Sequence, residues 1–180
     1  LNALRFSSPN VTALVPATGP TGGGISMTVF GASFGTYDAS PSLTVGQTRC
    51  TSVTYVSDSS LVCGMPAGAG AALSVVVEVA GQTQTGVDMF SYKAPHVASA
   101  QPHHGPTAGG TNVEIVGDSF GRQSAAQSAH IGNSPCSQSV WTSDSSIKCV
   151  VPAGGGVALE VSVHVLGNEG SLVAGFCYDA

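Results

Sequence analysis

The sequence predicts an all-β protein built as two tandem antiparallel sandwiches of about seven strands each. Three features predict it. The chain matches itself at a fixed offset of 86 residues, its apolar residues fall in short alternating runs, and glycine, proline and serine punctuate those runs about every ten residues. At that offset about 35 of 86 positions are identical without a gap. Gly19-Pro20-Thr21 falls on Gly105-Pro106-Thr107, Phe34-Gly35 on Phe120-Gly121, Cys50 on Cys136 and Cys63 on Cys149. Copies therefore span 9–94 and 95–180, each long enough for its own core. Residues 1–8 resemble the end of each copy and are expected to be the last strand of a preceding repeat.

In the first copy the strands are expected at Val11–Val15, Ser26–Phe30, Ser42–Val45, Val53–Val56, Leu61–Cys63, Leu73–Val79 and Val87–Tyr92. The run Leu73-Ser74-Val75-Val76-Val77-Glu78-Val79 is the clearest, because its odd positions are all apolar. Side chains alternate across a strand, so those positions face the core, while Glu78 and its counterpart His164 face outward. The Gly22-Gly23-Gly24 and Gly109-Gly110 loops feed strands rather than helices, and no lysine follows them. They are turns, not phosphate cradles.

Six phrases recur in order: Pro-x-Val, Gly-Pro-Thr-x-Gly-Gly, Gly-x-Ser-Phe-Gly, Val-Gly or Ile-Gly before the first cysteine, Ser-Asp-Ser-Ser before the second, and Pro-Ala-Gly. In these the chain resembles tandem IPT/TIG domains, the immunoglobulin-like units of plexin and transcription-factor type. The resemblance implies an immunoglobulin-like sandwich and covers residues 9–180. It carries no shared catalytic set, since the recurring residues are architectural.

Cys50 with Cys63 and Cys136 with Cys149 are each 13 apart at matching places, and two local disulfides are expected. Such bonds persist mainly outside the reducing cytosol. A zinc site is the rival reading, but neither C-x-x-C nor H-x-x-x-H spacing occurs. Cys177 has no partner and replaces Ser91 of the first copy, which makes it a candidate for pairing with another domain or chain. Asn10-Val11-Thr12 is a candidate N-glycosylation sequon.

Charged residues make up 8% of the chain and the net charge is -5, so no basic stripe exists to neutralise nucleic-acid phosphates. A surface so poor in charge predicts either glycosylation or burial in an assembly. The acids are scattered, the His103-His104 pair stands alone in a loop, and no Ser, His and Asp set is supported; an enzyme, a metal centre or a cofactor is not expected. Asp58 and Asp144 are expected to cap turns. Tyr55 and Trp141, at equivalent positions, are either core residues or partner contacts, and Tyr37 is a further candidate contact.

These features point to a non-catalytic extracellular or cell-surface recognition and adhesion module of a larger glycoprotein. Its partners would be proteins, other copies of the chain or glycans, with neither nucleic acid nor direct membrane insertion. Alternatives are a structural repeat of a secreted, ciliary or cell-wall filament, and an accessory module of a carbohydrate-active enzyme.

Overall fold

The computed structural model describes residues 7–123 and 126–179. Most of the segment expected to close a preceding repeat, residues 1–6, lies outside them. The described residues form strands and turns, and no helix among them is long and apolar enough to cross a membrane. The chain divides into two compact units; the first takes residues through Ala67 and Ala71–Tyr92, the second Gly68–Gly70 and Lys93 onward.

Unit 1 contains β1 (Asn10–Val15), β2 (Thr18–Gly19), β3 (Ser26–Ala32), β4 (Ser42–Val45), β5 (Thr48–Arg49), β6 (Ser52–Ser57), β7 (Ser60–Gly64), β8 (Leu73–Val79) and β9 (Gln82–Tyr92). One sheet has the order β1-β3-β7-β6 and the other β2-β9-β8-β4-β5. All pairs are antiparallel except the short β2–β9 pair. Unit 2 repeats the plan with β10 (His96–Gln101), β11 (His104–Gly105), β12 (Asn112–Asp118), β13 (Gln127–Ile131), β14 (Ser134–Pro135), β15 (Gln138–Ser143), β16 (Ser146–Val150), β17 (Leu159–Val165) and β18 (Asn168–Tyr178). Its sheets are β10-β12-β16-β15 and β11-β18-β17-β13-β14.

The sandwich core follows from strand alternation. Met27, Val29, Leu43, Leu61, Val75 and Val77 are fully buried in unit 1, as are Val113, Ile115, Ile147, Val161 and Val163 in unit 2. At about 1.5–3 kcal/mol for each fully buried aliphatic side chain, this inward face supplies most of the drive for the sheets to stack.

Two details depart from the expected strands. The strand expected from Val87 begins at Gln82, because Ala80 and Gly81 both adopt positive φ (49° and 79°) and close a tight hairpin onto β8. The two-residue strands β2 and β5 are additional, and their counterparts recur in unit 2.

Candidate functional site

Two of the recurring phrases, Gly-x-Ser-Phe-Gly and Ser-Asp-Ser-Ser, meet at one loop in each unit. Backbone N–H of Phe34 donates to the Asp58 carbonyl (2.9 Å), N–H of Gly35 donates to the Asp58 Oδ1 carboxylate (2.9 Å), and the Tyr55 hydroxyl donates to the Gly35 carbonyl (2.7 Å). Unit 2 repeats this with Phe120, Gly121 and Asp144, and with Trp141 Nε1 donating to the Gly121 carbonyl (3.2 Å). Asp58 thus reaches across to the Phe-Gly loop instead of capping its own turn. That turn is capped by Ser57, whose Oγ accepts from the Ser59 amide. Phe34 and Phe120 anchor the loop by filling fully buried positions. Tyr55 and Trp141 are half-buried, pack against their cores and spend their polar ends on this loop.

In unit 1 the clamped loop borders a cleft of about 320 Å³ lined by Gly35, Thr36, Tyr37, Asp58, Val79 and Gln82, among others. Tyr37 is 71% exposed at its rim. An exposed phenol on a fixed loop presents a large amphipathic contact at low conformational cost. Unit 2 has Gln123 at the corresponding position.

Cys50 is bonded to Cys63 and Cys136 to Cys149, with Cα atoms 5.6 Å apart in each pair. Cys50 directly follows β5 and Cys63 lies on β7, so each bond pins one sheet of the sandwich to the other. Cys177 is a half-buried free thiol whose Sγ accepts the Ala158 amide (3.2 Å). Ser91 Oγ does the same for Ala72 in unit 1 (3.0 Å), so sulfur has taken over a structural acceptor role. Asn10 is exposed at the start of β1.

The outer face of the β13–β17–β18 sheet carries a cluster that motif reading passed over. His130 and His164 pack edge to face with ring centroids 4.6 Å apart, and His164 Nε2 lies 3.4 Å from Glu169 Oε1 and 3.2 Å from Ser162 Oγ. His130 Nδ1 is buried without a hydrogen-bond partner. Desolvation foremost, then the neighbouring His164, lowers the His130 pKa, with Glu169 opposing. No group of three or more His, Cys, Asp or Glu among the described residues could hold a metal ion. His103 and His104 also stack edge to face, and His104 Nδ1 lies 3.3 Å from Asp179 Oδ1. The cue for the first cluster was alternation, which puts residues 162 and 164 on the outer face; pairing with His130 and Glu169 required the register.

Human fibrocystin-L is 29% identical over 167 residues, and human plexin-B1 34% identical over 143. These alignments cover 91% and 74% of this chain but only 4% and 7% of the relatives, so the chain spans less than a tenth of either one. Among solved structures, the surface glycan-binding protein PbSGBP-B from Prevotella bryantii superposes with a TM-score of 0.60 at 14% identity, covering 93% of this chain and 41% of that one; the likeness is one of fold. The IPT/TIG domain family matches residues 9–93 and again 95–177. With two matches that between them cover nearly all of the sequence, the chain belongs to the IPT/TIG family as a tandem pair of immunoglobulin-like domains.

Proposed function

We propose that this chain is a non-catalytic extracellular recognition and adhesion module of a larger glycoprotein, and that it binds protein partners through the Tyr37 end of its first domain. The observation that carries the reading is the exposed Tyr37 beside a cleft whose loop is held by Asp58 and Tyr55. Binding residues commonly sit on loops positioned by a rigid scaffold, and exposed aromatics dominate contact energetics. Two disulfides and plexin relatives support an extracellular setting. The domain boundaries 9–94 and 95–180 belong to this reading.

Two measurements test it. The full-length protein, labelled by antibody on intact cells, should stain without permeabilisation. The 180-residue chain, presented as a multivalent probe, should bind intact cells, and Tyr37→Ser should remove most of that binding while leaving both disulfides formed. Staining only after permeabilisation refutes the location. Binding no better than that of an unrelated tandem immunoglobulin probe, or binding indifferent to Tyr37, refutes the recognition site. Protease and glycosidase treatment of the cells separates a protein partner from a glycan.

A further inference from the structure

The two domains differ in charge on the outer face of their four-stranded sheets. In unit 2 this face carries His96 and Asp118 on adjacent strands, with His96 Nδ1 3.2 Å from Asp118 Oδ2, and the directly opposed pair Glu114 and Lys148. The same four positions in unit 1 are Asn10, Ala32, Thr28 and Val62, none of them charged. Between them Phe30 is 41% exposed, and Val15 on the neighbouring strand is 59% exposed. Unit 1 therefore shows water an uncharged sheet face around Phe30, whereas in unit 2 the counterpart Val116, 40% exposed, is flanked by charged residues.

The corner residue of that face is Asn10, first residue of a strand at the end of its sheet. It pairs with Ala32, which places Asn10, Ala32 and Phe30 on one side. Ala32 and Phe30 are two residues apart along β3, about 7 Å. Thr12, the hydroxyl residue of the Asn-Val-Thr triplet, is exposed as well, with Oγ1 donating to the Phe30 carbonyl (3.3 Å).

We propose that Asn10 carries an N-linked glycan that lies over the Phe30 face and takes the place of the charges that protect unit 2. The first sugars of such a glycan offer a CH face to the Phe30 ring and hydroxyls to water, so they cover apolar surface while solubilising it. An uncovered apolar sheet face is otherwise a site of self-association. Occupancy requires passage through the secretory pathway and so rests on the extracellular reading above.

The 180-residue chain, secreted from a eukaryotic host behind the host's own leader, tests the site. The Asn10 peptide is expected to lose the mass of one N-linked glycan on peptide-N-glycosidase treatment and to be read as Asp. Thr12→Ala, which keeps Asn10, should abolish that shift. Removing the glycan from the folded, disulfide-intact protein should raise the binding of an apolar dye severalfold. Val62→Lys, which installs the charge found at Lys148, should suppress that rise. Asn10 recovered unmodified from folded, secreted chain overturns the proposal. A glycan whose removal leaves dye binding and oligomeric state unchanged overturns its covering role. Because the host's leader forces secretion, failure here is distinct from failure of the intact-cell labelling.

Discussion

Gly31 and Gly117 sit at equivalent positions where an added Cβ would overlap the backbone of the edge strand, and Gly31→Ala is expected to destabilise unit 1 by about 3 kcal/mol. A Cβ built at Gly31 would overlap the Asn10 carbonyl oxygen on β1 and stand 2.5 Å from Phe34 Cζ, where ordinary contact begins at 3.4 Å. Phe34 is fully buried against close-packed neighbours, so neither its ring nor the edge strand can give way without straining the core. Overpacking of this kind costs about 1–3 kcal/mol, and disturbing the β1–β3 ladder adds about 1 kcal/mol for each hydrogen bond lost. For a domain of this size 1 kcal/mol corresponds to about 4–8 °C in Tm, so the shift should be about 12–24 °C. Calorimetry of the tandem chain reads it, and Gly117→Ala serves as an internal replicate, with its Cβ 2.7 Å from Phe120 Cζ. Phe34→Leu in the Gly31→Ala background should cost less than the sum of the two single changes, because the smaller side chain relieves part of the overlap. A Tm shift below about 2 °C for both alanine variants would refute the reasoning.

Replacing Cys50 and Cys63 together by alanine should cost unit 1 about 3 kcal/mol, the chain-entropy value for a loop of this length, read by denaturant unfolding. Leu166 sits at φ 44° in the β17–β18 hairpin and is 49% exposed, so Leu166→Asn should stabilise unit 2 by about 1 kcal/mol, seen as a raised Tm. His130 has a lowered pKa in the folded protein, so the unfolded chain binds more protons as pH falls below about 6.5 and unit 2 loses stability there. His130→Thr, the residue at the equivalent position 44, should flatten that acid-side fall in Tm; an unchanged pH profile would remove His130 as its source.

Much of the fold was legible because its physical causes are local or repeated. Strand alternation in Leu73–Val79, the cysteine spacing of 13 and the 86-residue period can each be read along the chain without knowing any contact. The candidate site was less legible. Tyr37 stood out only as a difference between the copies, and its cleft depends on where Val79 and Gln82 fall, on another sheet. The role of Asp58 was misread because a short acid beside serines has an obvious local use, and the hydrogen bond it makes instead spans 23 residues. Tyr55 and Trp141 look like contacts or core in sequence and are loop braces in space.

By itself the sequence determined the two-domain plan, the sandwich class, the family and the residues by which the copies differ, since periodicity, turn chemistry and cysteine placement are properties of neighbours along the chain. Only the tertiary structure decided which of those differences share a surface. His130 meets His164 and Glu169 through the β13–β17–β18 register, and Asn10 pairs with Ala32 and so shares a face with Phe30 through the β1–β3 pairing. Register is set by how the sheets pack as a whole, and a shift of one residue would send each of those side chains to the opposite face.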